Sequence, residues 1–410
     1  MLKKFMSDDK RIRPFKGLIY NARVVGDISL CVCPPYDVIE DPTKYYKKSP
    51  YNAVRLELPI DSEGKDRYQI AKETLEDWLN KGVVEEDTEE SIYVCEQSYT
   101  VDGNKYSRIG FLSLLRLDMD MIFTHEKTKE APKKDRELLI SATKTFTSFV
   151  FGLYVDDTKE IDRILRGCEK KLLYEFEEEG EIKSRIMRIV DRDANETLRS
   201  VMEKKKIYVA DGHHRLEVAR KINLPYLPIY LTGMFEDGTR ILPYHRVVKV
   251  KDRAKAETLW YLLCDKLKIK PLSLSRDDLN EVKTRLYRSQ MLSFAILRKE
   301  EPDKIHLFEL EKFSVDQTLE NPLRKIKVHL IHEGIIKGIL QIEEHEIDFI
   351  PWLEKVDALV KSGSYDMAFL CPPVGIEQVK EIAEMKLHMP PKSTYFYPKI
   401  PTGPIFYKYA

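Results

Sequence analysis

The sequence predicts a mixed α/β (α+β) fold built of two lobes. Short apolar, β-branched runs alternate with segments of helical periodicity, and both hairpin turns and longer crossovers join them. The 410 residues are too many for one small core. From about residue 252 the pattern shifts towards helices with fewer strands. We therefore predict a first lobe over residues 1–251 and a second, more helical α/β lobe over residues 252–410.

Several elements of the first lobe follow from local patterns. Residues 66–81 repeat apolar side chains at helical spacing, and residues 193–206 form another predicted helix. The strands 91–100 and 105–117 flank Asp102-Gly103-Asn104, a favourable hairpin turn. This hairpin favours a mixed sheet over a fully parallel one.

Two runs near the N-terminus carry carboxylates. Prolines exclude a helix at the start of residues 34–39, where Asp37 is expected to begin a turn. Residues 51–59 alternate apolar with polar side chains, which predicts a half-buried strand with Arg55 and Glu57 on its polar face. A rigid turn suits a carboxylate that acts as a general base, but Asp37 could equally be a residue that only caps its turn.

The second lobe is predicted to end in an ordered aromatic tail. Residues 389–403 hold too many prolines for regular structure and too many aromatic side chains for disorder. The helices predicted in this lobe are 253–267, 276–287, 322–339, 346–361 and 375–386, and the strands are 293–297, 305–309 and 366–370.

Composition narrows the class of protein. The 68 basic and 68 acidic residues cancel, so net charge favours neither nucleic acid nor a membrane surface as a partner. Charged residues make up 33% of the chain, which suits a thermophile. No signal peptide or membrane span is evident, and six scattered cysteines suit reduced thiols. These features predict a cytoplasmic protein and leave its oligomeric state open.

The strongest functional signal is Ala210-Asp211-Gly212-His213-His214-Arg215. An apolar run ends at this motif and helical spacing begins within it. The start of a helix carries partial positive charge and backbone N–H groups that suit phosphate or another anion. Arg215 could clamp such an anion, and the histidines could donate hydrogen bonds or move a proton. The alternative is a glycine turn with a capping Asp and two surface histidines.

Other familiar sites are not supported. Adjacent histidines on a helix point about 100° apart. No H-x-x-x-H pair or cysteine cluster completes a zinc site, so metal ligands stay unknown. The sequence has no P-loop, dinucleotide-binding or nucleophile-elbow motif.

Three further groups could do chemistry. Lys392-Ser393-Thr394, with Lys399 nearby, is either a candidate anion site or a solvent-facing tail. His125-Glu126 could form a polar network with Asp135-Arg136, or these residues could simply mark the start of a helix. His245-Arg246, ahead of a strand, is open to similar interpretations.

Seven motifs occur in a recognisable order. They are Pro34-Pro35-Tyr36-Asp37-Val38-Ile39, Tyr51-Asn52-Ala53-Val54-Arg55-Leu56-Glu57-Leu58-Pro59, His125-Glu126-Lys127-Thr128, Asp135-Arg136, Ala210-Asp211-Gly212-His213-His214-Arg215, Leu242-Pro243-Tyr244-His245-Arg246 and residues 389–403. With them the chain resembles, over nearly its full length, a bacterial and archaeal family catalogued as a domain of unknown function. The Asp-Gly-His-His-Arg turn also resembles the phosphate-binding turn of the ParB/sulfiredoxin fold, on which free-serine kinases of the SerK type hold their donor phosphates.

The resemblance implies a ParB/sulfiredoxin-like first lobe and a small-molecule kinase that converts free L-serine to O-phosphoserine. Relatives in the family are associated with inorganic pyrophosphate as the donor, and ADP or ATP are alternatives. Phosphoryl transfer needs an aligned hydroxyl, neutralised phosphate charge and usually Mg2+. The expected partners are therefore L-serine, a phosphoryl donor and Mg2+, with no nucleic acid and no membrane.

The resemblance also implies roles for individual residues. The expected donor-phosphate ligands are Asp211, Gly212, His213, His214 and Arg215, with Lys392, Ser393 and Thr394 as further candidates. The base does not carry over from the resemblance, because the sequence around Asp37 and Glu57 departs from the serine-kinase pattern. We choose Asp37 first and Glu57 second as the base, and His214 is a further catalytic candidate. The substrate-binding candidates are Tyr36, Asn52, Arg55, His125, Glu126, His245 and Arg246.

Two other functions compete with a kinase. A ParB-like nucleotide-binding switch would bind a nucleotide without transferring phosphate, but the sequence shows no basic patch and no helix-turn-helix signal. A sulfiredoxin-like ATP-dependent enzyme would need a reactive cysteine beside the phosphate turn. The nearest cysteines in sequence, Cys168 and Cys264, lie far from it.

Overall fold

The structure is a computed structural model, and it describes residues 10–62, 64–128, 130–250, 253–311 and 322–409. The chain divides into two compact units. The first comprises Met1–Thr124, Thr128–Arg240 and Pro398–Ala410, and the second comprises His125–Lys127 and Ile241–Tyr397. Both units contain a sheet and helices, so the predicted mixed α/β class is confirmed. The lobe boundary predicted after residue 251 stays a prediction.

A nine-stranded mixed sheet lies at the centre of the first unit. In spatial order its strands are Ile122–Phe123, Ile207–Asp211, Val150–Tyr154, Tyr226–Gly233, Asn104–Arg116, Tyr93–Val101, Ile182–Ile189 and Lys170–Glu178, and Ile12–Arg13 pairs with Asn104–Arg116 beside this path. Two small sheets pair Leu18–Tyr20 with Val84–Glu86 and Thr145–Phe146 with Tyr407–Lys408. The helices are Ala22–Val25, Thr43–Tyr46, Val54–Glu57, Arg67–Asn80, Glu130–Thr143, Glu160–Gly167, Arg192–Met202 and His213–Lys221, with 3-10 turns at Ile28–Leu30 and Met119–Met121.

The predicted hairpin and the first long helix are confirmed. The two hairpin strands pair antiparallel, and Asp102 and Gly103 between them both have positive φ, as a tight hairpin turn requires. The helix predicted over 66–81 is Arg67–Asn80. It begins at Asp66 because that side chain accepts hydrogen bonds from two backbone N–H groups of the first turn.

The strand-turn-helix predicted around the histidine motif is also confirmed. The motif strand, Ile207–Asp211, lies second from one edge of the sheet, and the motif helix is His213–Lys221. Val209 from the strand and Leu216 and Ala219 from the helix are fully buried in one hydrophobic cluster. Burying a side chain of this size contributes up to about 1.5–3 kcal/mol. The turn between the two elements is therefore fixed at both ends by the core.

The second unit is built on a six-stranded sheet whose neighbouring strands all pair antiparallel. In spatial order the strands are Leu272–Ser275, Lys304–Leu310, Leu292–Arg298, Met367–Leu370, His245–Val248 and Ile347–Ile350. Further strands are Arg240–Leu242, where this unit begins, and Tyr395–Tyr397. The helices are Arg253–Leu267, Leu279–Arg288, Lys327–His329, Leu353–Lys361 and Ile376–Glu384, with a π-helix at Leu330–Ile339 and 3-10 turns at Arg276–Asp278, Pro322–Lys325 and Glu344–Glu346. Among the described residues, no helix is long and apolar enough to cross a membrane.

Two helix predictions in this unit need correction. The helix predicted over 346–361 starts only at Leu353, because Ile347–Ile350 is an edge strand paired with His245–Val248. That pairing partner lies far away in sequence, so local periodicity could not reveal it. The single helix predicted over 322–339 is a 3-10 turn, a short α-helix and a π-helix in succession.

The strand predicted over residues 51–59 is wrong. Val54–Glu57 is a short helix, and Asn52 starts it by accepting a hydrogen bond from the backbone N–H of Val54 at 3.0 Å. The Asn52 amide also donates to the carbonyls of Leu30 and Val32, at 2.7 and 3.1 Å. The short alternating run cannot distinguish a strand from a helix whose residues are almost all buried. The predicted substrate-binding role of Asn52 stays a prediction, and its observed side-chain contacts are hydrogen bonds to backbone groups.

We predict that Asn52→Ala lowers the free energy of unfolding by about 3 kcal/mol, because it leaves buried backbone groups without partners. Denaturant unfolding followed by circular dichroism measures the change. Asn80→Ala is the matched control, since Asn80 is exposed at the end of a helix, and we expect it to change the stability by less than about 0.5 kcal/mol. Equal effects of the two substitutions would contradict this account of residues 51–59.

Side chains of the central strands hold the C-terminal tail within the first unit. Arg108 Nη2 donates to the carbonyl of Pro398 at 2.6 Å, and Gln97 Nε2 donates to the carbonyl of Lys399 at 3.2 Å. Gln97 also donates to Glu178 Oε1, which accepts a hydrogen bond from Ser184 as well. The tail is therefore bonded to a polar network on the sheet.

Glu178 gives this network a pH dependence. Removal of its carboxyl group from water raises the pKa of Glu178 to about 7, and the hydrogen bonds from Ser184 and Gln97 and the charge of Arg108 oppose this only in part. Because the folded-state pKa lies above the unfolded value, the stabilisation is complete below the unfolded pKa and is lost as the pH rises through 7.

We predict that Glu178→Gln removes this contribution. The wild-type free energy of unfolding should fall by about 2 kcal/mol more than that of the variant between pH 5 and pH 8, after allowing for the partial exposure of the residue. Denaturant unfolding of both proteins at four pH values gives the difference curve, in which the other titrating groups cancel. A difference that stays constant with pH would show that the pKa of Glu178 is not raised.

Candidate functional site

Gly212 makes the turn between the motif strand and the motif helix possible. Its φ is +83°, in the left-handed region that favours glycine, and it caps the helix without a side chain. The guanidinium of Arg215 folds back over this glycine, so a Cβ on Gly212 would lie 3.0 Å from Arg215 Nη2. The glycine is therefore required by the backbone angle and by the packing of Arg215.

Asp211 links two cations at this turn. Its Oδ1 lies 2.8 Å from Lys399 Nζ, and its Oδ2 lies 3.4 Å from Arg215 Nη2. Both cationic side chains are at least nine-tenths buried. Asp211 thus brings two cationic side chains to the start of a helix, which itself carries partial positive charge. This combination favours the binding of an anion.

Tyr36 brings the proline-rich turn next to the histidine motif. Its hydroxyl shares a hydrogen bond of 3.2 Å with His214 Nδ1. Burial raises the pKa of Tyr36 well above its usual value, an effect that the charge of Asp37 reinforces and that of Arg215 opposes. The hydroxyl therefore stays protonated. Asp37, the next residue, lies in the predicted turn and is partly exposed.

Glu57 and Arg136 form the buried support of this turn. Their side chains are 0% and 4% exposed, with Arg136 Nη1 3.5 Å from Glu57 Oε1. Glu57 also accepts hydrogen bonds from the hydroxyls of Thr147 and Ser148, and its Oε1 lies 3.4 Å from the backbone nitrogen of Tyr36. The guanidinium of Arg136 stacks 4.3 Å from the centroid of the Tyr36 ring. Both carboxylate oxygens of Glu57 are thus engaged by the protein, and its role as base stays a prediction.

Arg55 lies on the same short helix as Glu57 but contacts other groups. Its Nη2 donates to the carbonyl of Tyr46 at 3.0 Å, and its guanidinium lies 4.5 Å from the centroid of the Tyr46 ring. These contacts place it against the neighbouring helix Thr43–Tyr46. Its predicted role in binding substrate stays a prediction.

The remaining sequence candidates belong to the second unit. His125 Nε2 shares a hydrogen bond of 3.0 Å with Thr394 Oγ1, and Glu126 forms a backbone bridge with Met389. The hydroxyl of Ser393 donates to the carbonyl of Pro390 at 2.7 Å. The structure therefore brings the residues around 125 together with the candidate anion segment 392–394.

His245 and Arg246 also lie within this second unit. Nδ1 of His245 accepts a hydrogen bond from the backbone N–H of Cys371, and burial lowers the pKa of His245 to about 3, so it stays neutral. The fully buried Arg246 donates to the carbonyls of Tyr244 and Lys392. The binding roles predicted for the second-unit residues stay predictions.

Lys399 and Arg136 are the site residues that sequence reasoning placed least well. The sequence indicates Lys399 only as a neighbour of residues 392–394, and Arg136 only as part of a polar network with His125-Glu126 or of a helix start. Neither carries a local signal, because each meets its partner, Asp211 or Glu57, through tertiary packing.

Magnesium would need ligands in addition to those of the protein. In the described part of the chain, no group of three or more His, Cys, Asp or Glu side chains is arranged to hold a metal ion. Mg2+ is usually bound by one or two carboxylates together with substrate phosphates.

A family model described as "Protein of unknown function (DUF1015)" matches residues 12–328. A search of curated proteins gave no match. Among solved structures, a conserved hypothetical protein from Pyrococcus furiosus is 13% identical, with 70% of this chain and 93% of that chain covered at a TM-score of 0.38.

Two other solved structures are similar at the same level. A free serine kinase in complex with AMP is 13% identical, with 72% of this chain and 90% of that chain covered at a TM-score of 0.39. SbnI with a C-terminal truncation, from Staphylococcus aureus, is 10% identical, with 71% and 85% covered at a TM-score of 0.36. Likenesses with TM-scores below 0.5 support no conclusion about function.

We predict that Gly212→Ala lowers stability by about 1 kcal/mol through its left-handed backbone angle and also displaces the guanidinium of Arg215. The matched control is Gly363→Ala, because Gly363 follows the end of a helix with a φ of +73° and has no atom within 4 Å of the added Cβ. Denaturant unfolding should show similar losses for the two variants. Crystal structures of the two variants should show a displaced Arg215 guanidinium only in Gly212→Ala, and an unchanged guanidinium there would contradict the packing argument.

Proposed function

We propose that this chain, which belongs to the family described as "Protein of unknown function (DUF1015)", is a phosphotransferase whose donor phosphates bind at residues 211–215. The observation that carries the proposal is the guanidinium of Arg215, folded over Gly212 at the start of the motif helix. A helix start contributes about 0.3–1 kcal/mol to the binding of an anion. A charge-assisted hydrogen bond from Arg215 contributes about 1.5–3 kcal/mol more.

In its finer form, the proposal is a kinase that phosphorylates the hydroxyl of free L-serine to O-phosphoserine. Inorganic pyrophosphate is the proposed donor, with ADP or ATP as alternatives, and the proposed architecture of the first unit is ParB/sulfiredoxin-like. The support for these details is the resemblance of the Asp-Gly-His-His-Arg turn and of the six accompanying motifs. Mg2+ would enter with the donor, held by phosphate oxygens and by the carboxylate of Asp37 or Asp211.

Asp37 is the proposed general base. A base must reach the hydroxyl of the acceptor, and Asp37 is partly exposed whereas Glu57 is fully buried. Its neighbour Tyr36 is hydrogen-bonded to His214, which connects the turn of Asp37 to the phosphate turn. In this proposal His214 orients Tyr36. Glu57 stabilises the same turn through its ion pair with Arg136, whose guanidinium stacks on the Tyr36 ring.

The test is formation of O-phosphoserine from L-serine with Mg2+ and, in separate reactions, pyrophosphate, ADP and ATP, measured by mass spectrometry. We predict that Arg215→Met lowers kcat/KM by more than about 100-fold, because the variant loses a phosphate contact and leaves Asp211 with fewer partners.

Asp37→Asn should lower kcat by about 100- to 10,000-fold with little change in the KM for the donor. Arg240→Met is the control, since Arg240 is exposed and stacks on Tyr106.

The outcomes separate the parts of the proposal. Absence of product with every donor would reject the kinase. Binding of a nucleotide without any product would instead support a ParB-like nucleotide-binding switch. Full turnover by Asp37→Asn would reject Asp37 as the base and leave the phosphotransferase in place.

A further inference from the structure

Lys399 reaches the phosphate turn from the C-terminal tail, beyond the residues that the family model matches. Its ammonium lies 2.8 Å from Asp211 Oδ1, and 9% of its side chain is exposed. Arg215 is next to the other oxygen of the same carboxylate. Two buried cationic side chains therefore meet at one carboxylate of the turn, and a pair of cations suits an anion that carries more than one charge.

The main chain on both sides of Lys399 is fixed by side chains of the central sheet. Arg108 donates to the carbonyl of Pro398, immediately before Lys399, at 2.6 Å. Gln97 donates to the carbonyl of Lys399 itself at 3.2 Å. The Cα atom of Lys399 therefore lies between two anchored peptide groups, and its side chain is held at its far end by Asp211.

Arg108 is itself held in one orientation. It is 1% exposed, and its guanidinium lies 4.8 Å from the centroid of Phe151 and 5.6 Å from that of Tyr230. It also donates to the side-chain oxygen of Gln97. Phe151 is the cross-strand partner of Asp211 in the sheet. The groups that hold the backbone of Lys399 and the carboxylate that holds its ammonium are thus parts of one rigid element.

We propose that Lys399 is a phosphate-binding residue of the donor site, and that Arg108 and Gln97 are positioning residues that deliver its ammonium to Asp211. The ligand class is a compact, multiply charged phosphate, such as inorganic pyrophosphate or the terminal phosphates of a nucleotide. An ammonium has three donor hydrogens, so Lys399 can contact a phosphate oxygen while it keeps its bond to Asp211. This inference rests on the proposed function of residues 211–215.

The first test is calorimetric titration of the full chain with pyrophosphate. Lys399→Met should weaken binding by about 10- to 100-fold, as expected for one lost charge-assisted hydrogen bond. Lys399→Arg should recover part of that loss. Lys408→Met is the matched control, because Lys408 is an exposed lysine of the same tail. We expect this variant to bind pyrophosphate with the affinity of the wild type.

The second test asks whether Arg108 and Gln97 act through Lys399. In the protein that retains Lys399, Gln97→Met and Arg108→Met should each weaken pyrophosphate binding by about 3- to 30-fold. In the Lys399→Met variant, the same substitutions should have much smaller effects. In the kinase assay they should raise the KM for the donor and leave the KM for serine unchanged. If removal of the buried Arg108 prevents folding, Gln97→Met still decides the question, because it keeps the size of the side chain.

The results distinguish this inference from the proposed function. If the wild type binds pyrophosphate and Lys399→Met binds it equally well, Lys399 is not a phosphate ligand, and the proposed function of residues 211–215 is unaffected. If Gln97→Met and Lys399→Met weaken binding independently, the positioning role is wrong. If the wild type binds none of the phosphate donors and forms no product, the proposed function itself fails.

Discussion

The first unit depends on how one carboxylate, Asp211, is shared between two cations. Arg215 and Lys399 are both at least nine-tenths buried, and each would be costly to bury without a partner. Asp211 offsets part of that cost for both residues. It also fixes the positions of the Lys399 ammonium and the Arg215 guanidinium. Because Asp211 ends the motif strand, the position of the charge is set by the sheet. In the proposed function such a turn is pre-organised for an anion, which saves the ordering cost that a mobile site would incur on binding.

A second buried pair, Glu57 with Arg136, gives the neighbouring turn its shape. Glu57 is enclosed by hydroxyls and by Arg136, and Arg136 stacks on the ring of Tyr36. Asp37 follows Tyr36 and remains partly exposed. Two carboxylates that looked equivalent in sequence therefore occupy different environments, and such differences are how proteins assign different roles to chemically identical groups. Glu57 is fully enclosed, whereas Asp37 is only partly buried, with its Oδ1 shielded from solvent.

Local patterns predicted elements correctly where one face of an element meets the core. The Asp66-capped helix, the Asp102-Gly103 hairpin and the strand before Gly212 all combine a periodic apolar face with a turn or cap residue that suits the backbone. The prediction failed at residues 51–59, where Asn52 bonds to backbone groups of an earlier segment and starts a helix. It failed again at Ile347–Ile350, because an edge strand is defined by its partner rather than by its own sequence.

The sequence by itself determined the strand, the left-handed glycine and the helix around residues 211–215, since each depends on residues that are adjacent in the chain. It also supplied the motif order that placed the chain near its family. The tertiary structure alone decided that Lys399 pairs with Asp211, that Glu57 is enclosed by Arg136, and that His125 bonds to Thr394. The physical reason is that ion pairs and buried hydrogen bonds join side chains that are distant in sequence, and their energies depend on burial and distance, which periodicity does not encode.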